Sequence, residues 1–299
     1  MKHFRRYLVY VLLAKTILVL PIKWLVPLSL GLAKLSRLVK FQKHVVMTNL
    51  EIAFGDNTTY QEREHIYEEN LKHMWLGVLE TLGMSQWSRE FVSAQVSIEG
   101  WEYVEQAHRL GKGVLMLGGH FGNWELHNIA LAINSGLPYY SYTGKQRNPY
   151  FDRAINNIRR RLGIKPIGQS PASGRQMIEV LKNNQILALA ADQNIKNGAI
   201  FIPFFGRKAA LAQGMGALAV KLQAPVFFSW MVRTGPFRHR LYITPLNFQS
   251  QGSVQKDIEA LSRCYVSQLE NVIRAHPEQY LWMYKRYKLR PSDDPEPVY

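Results

Sequence analysis

The chain has 299 residues, of which 47% are hydrophobic and 20% are charged, so it is long and apolar enough to form one large packed domain. This composition excludes a largely disordered protein. The single cysteine, Cys264, excludes an intrachain disulfide and any metal site that needs several thiolates. The formal net charge of +15 indicates a polyanionic partner of one of three classes: a nucleic acid, an anionic membrane surface or an acidic protein.

The amino-terminal region is both basic and apolar. The apolar runs YLVYVLLAKTILVL (7–20) and WLVPLSLGLA (24–33) precede Glu51, the first acidic residue of the chain. Lysines and prolines interrupt the runs, and no small-residue cleavage site follows the first run, which argues against a cleaved signal peptide. We predict a membrane anchor over residues 1–40, either a spanning helix or an interfacial one, and a single domain over residues 41–299. A buried helical hairpin is the alternative.

The rest of the chain is predicted to form an α/β domain. Residues 44–90 have helical periodicity, with Thr58 or Thr59 as the N-cap of a long helix. Beyond this region, strand-like segments alternate with amphipathic helical segments. The segments GVLMLGG (113–119) and QILALAAD (185–192) are apolar almost throughout, as is typical of strands buried on both faces. The alternation predicts a mostly parallel central sheet with helices on both faces.

A histidine and two carboxylates lie where this fold usually binds ligands. In open α/β sheets, ligands bind beyond the carboxyl ends of the strands. His120 follows the first of the two apolar strands, and Asp192 follows the second. Asn123 is predicted to cap the next helix, with Glu125 in its first turn. The loop can fold back so that Glu125 accepts a hydrogen bond from Nδ1 of His120, which leaves Nε2 to act as a general base.

Other kinds of site fit the sequence less well. Glu125 and His127 are two residues apart and point to nearly opposite sides of a helix, so we expect no metal site with His120. The nearest equivalent of an esterase elbow is GQSPA (168–172), where Pro171 has no N–H to donate to an oxyanion. No P-loop or dinucleotide fingerprint follows a strand, and we expect no cofactor. A purely structural histidine in a loop remains an alternative.

Four motifs together resemble a known family. The spacing H-x4-E between a strand and a helix resembles the H-x4-D/E motif of the lysophospholipid-acyltransferase-like superfamily. More specifically, the late acyltransferases of lipid A biosynthesis, the lauroyl/myristoyl transferases, are similar in several segments. These segments are GGHFGNWE (118–125), ADQN (191–194), GAIFIPFFGRKA (198–209) and HPEQYLWMYKRYKLRP (276–291).

The resemblance implies an enzyme of the bacterial inner membrane whose active site faces the cytoplasm. It implies acyl transfer from acyl carrier protein to a lipid hydroxyl, which in lipid A belongs to a 3-hydroxyacyl chain. Related mannoside acyltransferases share the motifs, so the acceptor stays open. The expected partners are therefore an acyl thioester donor, a lipid acceptor and the membrane, but no nucleic acid.

The resemblance also implies particular roles for residues around His120 and Glu125. A basic residue after the next strand is expected to bind phosphate or to stabilise the oxyanion; Arg147 is the first candidate, Arg153 the second and Lys145 the third. Asn123 and Asp192 are expected to contact substrate, Asp192 by orienting a loop or a sugar hydroxyl.

Three alternative functions remain open at this point. The first alternative is an acyltransferase of another glycolipid or a lysophospholipid. The second is a thioesterase that uses the same residues with water as the nucleophile. The third alternative is a basic membrane- or nucleic-acid-binding protein without enzymatic activity, in which His120 is structural.

Overall fold

A twisted sheet of seven strands crosses the centre of the protein, in a computed structural model that describes residues 24–195 and 197–299. Nine strands lie within these residues: β1 (Val96–Glu99), β2 (Val114–Gly118), β3 (Tyr139–Thr143), β4 (Ile164–Gly168), β5 (Ile186–Ala190), β6 (Ala199–Phe204), β7 (Arg207–Ala212), β8 (Val226–Gly235) and β9 (Arg238–Pro245). The central sheet has the order β1-β9-β8-β2-β5-β3-β4. All its neighbouring strands are parallel except β8 and β9. The predicted mostly parallel sheet is therefore confirmed.

Helices flank this sheet. The described residues contain α1 (Leu25–Leu38), α2 (Lys43–Phe54), α3 (Tyr60–Gly83), α4 (Arg89–Gln95), α5 (Trp101–His108), α6 (Trp124–Ser135), α7 (Pro149–Arg161), α8 (Ser173–Lys182), α9 (Gln213–Leu222) and α10 (Val254–Ala275). Short 3₁₀ turns occupy Gly55–Asn57 and Pro277–Gln279. The segments predicted as helices and strands from their periodicity are confirmed, and the α/β class with them.

The side chains of β2 show how the sheet separates two cores. Val114 and Met116 belong to the core beneath α4, α5, α6 and α7. Leu115 and Leu117 belong to the core beneath α8, α9 and α10, which α2 and α3 extend. Since successive side chains of a strand point to opposite faces, an apolar strand of this kind needs cover on both sides.

Local sequence signals explain several element ends. The N-cap of α3 is Thr59, whose hydroxyl accepts from the N–H of Glu62 while Glu62 accepts from the N–H of Thr59. Helix α7 begins at Pro149, where a missing N–H costs no intrahelical bond. Helix α6 ends at Ser135 and is capped by Gly136, which adopts a left-handed conformation with φ of +59°.

The region predicted to be an anchor is described only in its second half. Residues 1–23 lie outside the described residues. Helix α1 packs against α3, and Ser36 of α1 accepts a hydrogen bond from the indole N–H of Trp75 at 2.8 Å. Within the part of the chain that the structure describes, no helix combines the length and the apolar character that crossing a membrane requires.

Strands β6 and β7 form an antiparallel hairpin that the periodicity does not predict. The segment between the two strands, Phe205 and Gly206, has positive φ at both residues, as in a tight hairpin turn. Phe204 and Phe205 then pack against an aromatic cluster that includes Tyr280 and Trp282. These contacts pack the hairpin, which follows β5 in the chain, against the carboxyl-terminal segment.

Candidate active site

His120 and Asp192 meet because the strands that precede them are neighbours. In the parallel pairing of β2 with β5, Gly118 lies beside Ala190. His120 comes two positions after Gly118, and Asp192 comes two positions after Ala190. Both residues therefore lie at the same edge of the sheet. Oδ1 of Asp192 lies 2.7 Å from Nδ1 of His120, and Oδ2 accepts a hydrogen bond from the His120 backbone N–H at 2.8 Å. One buried carboxylate therefore fixes both the backbone and the ring of the histidine.

The pKa of the His120 imidazole is set by opposing effects of burial and of the neighbouring carboxylate. Burial lowers the pKa of His120, but the Asp192 carboxylate and its hydrogen bond raise it more, and Glu125 adds to the rise. The net result is a pKa above the ordinary value for histidine. For Asp192, burial raises the pKa, yet His120 and the more distant Arg286 bring it below the usual range. Asp192 is thus held as a carboxylate although it is only 2% exposed.

Nε2 of His120 lies across the imidazole ring from Nδ1, the nitrogen that contacts Asp192. The side-chain amide nitrogen of Gln193 lies 3.3 Å from Nε2. Because Nδ1 donates to Asp192, the neutral ring presents a lone pair at Nε2. The ring of Trp124 packs edge-on against the imidazole, with 5.2 Å between the centroids. The arrangement suits a general base that is fixed at Nδ1 and carries a lone pair at Nε2.

The predicted hydrogen bond between His120 and Glu125 is wrong in this structure. Glu125 instead accepts two hydrogen bonds from Arg159 of α7, from Nε at 3.0 Å and from Nη2 at 2.5 Å. This side-by-side pairing matches the planar guanidinium to the carboxylate. The pair is largely buried, with side-chain exposures of 15% for Glu125 and 10% for Arg159. The spacing of five residues brings Glu125 close to His120, but the neighbouring strand supplies the hydrogen-bond acceptor.

A glycine and the carboxyl-terminal segment shape the loop between β2 and α6. Gly122 has φ of +58°, and a Cβ there would lie 2.3 Å from the carbonyl oxygen of Met231, so no other residue fits without rearrangement. Its N–H donates to the carbonyl of Gln279, and the N–H of Leu281 donates to the carbonyl of His120. The aromatic and basic motif near the carboxyl terminus (276–291) is thus hydrogen-bonded to the loop that contains His120.

Asn123 is the N-cap of α6, as predicted, and also contacts a buried ionic cluster. Its Oδ1 accepts from the N–H of Leu126, and its Nδ2 donates to Glu80 at 2.8 Å. Glu80 is completely buried and also binds Arg233 and His239. Burial raises the pKa of Glu80, but the charge and hydrogen bonds of Arg233 bring it down to about 2. Sequence reasoning missed this cluster because its members lie far apart along the chain.

A mostly apolar cavity of about 830 Å³ lies beside this loop. Its wall contains residues 122–125, which directly follow the histidine and its neighbour Phe121. Leu28 and Leu32 of α1, together with one face of α3, form another part of the wall. The cavity is within the size range of pockets for small molecules or lipid chains.

Some of the predicted site residues line this cavity and others do not; His120 and Asp192 are not among the lining residues. Arg147 and Arg153 are exposed, and neither is part of the cavity wall. Asn123 and Glu125 do line it. His127 lies beneath Gly118, where burial lowers its pKa to about 4. Within residues 24–195 and 197–299, no group of His, Cys, Asp and Glu is arranged to hold a metal ion.

Comparison with known proteins places this chain in a family. Residues 1–289 match the family described as bacterial lipid A biosynthesis acyltransferase. The chain is 27% identical to the lipid A biosynthesis palmitoleoyltransferase of Escherichia coli (strain K12) over 258 residues, 85% of this chain and 81% of that protein. It is 26% identical to the lauroyltransferase of the same organism over 281 residues, 92% of this chain and 89% of that protein. For the myristoyltransferase, identity is 24% over 271 residues, 87% of this chain and 80% of that protein.

The family match therefore covers nearly the whole chain, including the histidine loop, the ADQN segment and the carboxyl-terminal motif. Such a match implies an acyl donor and a lipid acceptor. The protein is an acyltransferase enzyme, and it belongs to the bacterial lipid A biosynthesis acyltransferases.

Proposed function

We propose that this protein transfers a fatty acyl chain from the thioester of acyl carrier protein to a hydroxyl group of a lipid A precursor, with His120 as the general base. The observation that carries the proposal is the His120–Asp192 pair beside the apolar cavity. The pair can remove a proton, and the cavity can hold a hydrocarbon chain next to the place where this happens.

In this mechanism the acceptor hydroxyl takes the position that the Gln193 amide now occupies at Nε2 of His120. The hydroxyl oxygen attacks the thioester carbonyl as its proton passes to Nε2. The tetrahedral intermediate then collapses, the carbon–sulfur bond breaks, and the thiol leaves with the proton from the imidazolium. A thiol leaves readily because its pKa is only about 8.5, so the activation of the hydroxyl is the main task of the base.

The two carboxylates have different roles in this proposal. Asp192 holds the tautomer and stabilises the imidazolium through its direct hydrogen bond. Glu125 stabilises the imidazolium through space and lines the cavity, where Arg159 fixes its orientation. Arg147 and Arg153 lie outside the cavity, and we assign to them contacts with the phosphates of the acceptor at the surface.

The proposal is tested with purified protein, acyl carrier protein thioesters and a lipid A precursor, by following thiol release and product mass. His120→Ala should lower kcat/KM by about 10³–10⁴-fold, the upper part of the range for general-base catalysis. The exposed His65 on α3 provides a matched control, and His65→Ala should retain full activity. Comparable activity in the His120 and His65 variants would exclude the mechanism. Thiol release that does not require the acceptor would indicate a thioesterase instead.

We also propose that α1 and the turn after it lie on the anionic surface of the inner membrane, so that the active site meets lipid from the cytoplasmic side. Leu38 and Val39 are 79% and 66% exposed, with Lys34 and Lys40 beside them. Exposed apolar side chains among basic residues are typical of an interfacial helix.

Flotation with vesicles tests this orientation. Full-length protein carrying both Leu38→Asp and Val39→Asp should float less with vesicles that contain phosphatidylglycerol. Leu110, which is 65% exposed after α5, provides the control, and Leu110→Asp should float like the wild type. Equal flotation of all three proteins would exclude a contribution of this surface.

A further inference from the structure

Part of α3 forms a wall of the cavity, and Gly77 lies near the centre of that wall. The residues of α3 that line the cavity lie between positions 70 and 82: Asn70, His73, Met74, Trp75, Gly77, Val78, Leu79, Thr81 and Leu82. Gly77 has neighbours with side chains on both sides of it along the helix. The wall is therefore recessed at Gly77, in the second half of a helix of 24 residues.

Neither the backbone nor the packing requires glycine at this position. Gly77 is in the interior of α3 and is not among the residues with positive φ. A Cβ added there would meet no atom within 4 Å. In contrast, a Cβ on Gly216 of α9 would lie 2.8 Å from Ile258, so that glycine is required for close helix packing. Glycine is among the least favourable residues in a helix interior, which makes Gly77 costly without a compensating contact.

We propose that Gly77 determines how long an acyl chain the enzyme accepts, because the missing side chain leaves room that the chain occupies. This inference rests on the proposed function, since it takes the cavity to be the site of the acyl chain. A leucine at this position would place four carbon atoms in space that is now open. The longest donors would then no longer fit beside His120, while shorter donors would still react.

The test measures kcat/KM for acyl carrier protein thioesters with chains of 10, 12, 14 and 16 carbons. Wild-type enzyme, Gly77→Ala and Gly77→Leu are compared with the same lipid A precursor. In Gly77→Leu, kcat/KM for the longest chain that the wild type uses well should fall by about 10-fold or more relative to shorter chains. This is the effect of one or a few excess methylenes in a hydrophobic pocket. Gly77→Ala should change the same ratio in the same direction by less.

A second helical glycine provides the matched control. Gly174 of α8 is exposed, a Cβ there meets nothing within 4 Å, and it is not part of the cavity wall. Gly174→Leu should leave the chain-length preference unchanged. Thermal unfolding of the Gly77 variants should show an unchanged or higher Tm, because alanine and leucine both favour the helix. A lower kcat/KM with all donors to the same extent, at a normal Tm, would overturn the inference.

Binding of a fluorescent fatty acid, cis-parinaric acid, separates this inference from the proposed function. If the wild type transfers no acyl chain from any donor, the proposed function fails. The assignment of Gly77 then depends on binding alone. A Kd raised by about 10-fold in Gly77→Leu but not in Gly174→Leu would support it. Equal Kd values in wild type and Gly77→Leu would refute it, whether or not the enzyme is active.

Discussion

Two acid–base pairs lie close together at one edge of the sheet, and they differ in how the chain brings their members together. His120 and Asp192 follow adjacent parallel strands, and their atoms meet because of the strand order. Glu125 and Arg159 come from α6 and α7, where a helix start meets the last turn of the next helix. The first pair joins a carboxylate to an imidazole whose pKa that carboxylate raises, and the second joins a carboxylate to a guanidinium. Proximity along the sequence indicated the wrong partner for the histidine, whereas the strand order provides the right one.

The sharpest way to break the first pair is Asp192→Asn. The amide retains the shape but cannot stabilise the imidazolium, and it can hold the ring in the wrong tautomer. We expect kcat to fall by about 10³-fold or more, as when the acid of a catalytic triad is changed in this way. Steady-state kinetics at saturating donor and acceptor measure this. An Asp192→Asn enzyme with more than a tenth of the wild-type kcat would show that the hydrogen bond is not part of the mechanism.

Breaking the second pair should reduce stability. Glu125→Gln leaves the largely buried Arg159 without a counter-ion, which costs about 3 kcal/mol in the free energy of unfolding. Arg159→Met should cost a similar amount because it leaves the carboxylate unpaired. The double variant Glu125→Leu with Arg159→Met should recover most of the loss, since no unpaired charge remains. Urea denaturation of the four proteins provides the measurement.

An exposed ion pair on α10 serves as the control for the Glu125→Gln variant. Glu259 and Arg263 have side-chain exposures of 43% and 54%, and Glu259→Gln should cost less than about 1 kcal/mol. If Glu125→Gln were as mild as Glu259→Gln, the Glu125–Arg159 pair would have to be considered a surface contact.

The smallest effect is expected outside both pairs, at Arg147. Its exposed guanidinium is assigned to a phosphate of the acceptor, so Arg147→Lys should raise KM by ~2–5-fold and leave kcat unchanged. The exposed Arg160 on α7 provides a control, and Arg160→Lys should change neither constant. A lower kcat would instead indicate that Arg147 stabilises the oxyanion. Unchanged kinetics for both Arg147→Lys and Arg147→Ala would transfer the assignment to Arg153.

The fold was largely predictable because its signals are local. Apolar runs, a capping box at Thr59 and a glycine at the end of α6 each specify an element from a few neighbouring residues. The hairpin β6–β7 was not predicted, because its strands owe their position to distant aromatic contacts rather than to a regular alternation.

The site was predictable only in part, and for a related reason. Sequence placed His120 and Asp192 on the same edge of the sheet, but it could not indicate that β2 and β5 are neighbours. Without that adjacency, the nearest carboxylate along the chain was the natural choice of partner. The sequence around Arg159 and Glu80 did not indicate that either residue belongs to the site. One belongs to a run of three arginines, and the other to a helix with many charged residues.

The measurement that tests the central assignment most directly is the pH dependence of kcat/KM for wild type, Asp192→Asn and Glu125→Gln. A general base must be neutral to act, so the rate should fall as pH decreases through the pKa of His120. In the wild type this acid limb should lie above the ordinary histidine value of about 6.5, because Asp192 outweighs the effect of burial. In Asp192→Asn the limb should move to lower pH, since burial remains and the main raising charge is gone. In Glu125→Gln it should move less in the same direction. A larger shift in Glu125→Gln than in Asp192→Asn would contradict this assignment and indicate that Glu125 is the main partner of His120.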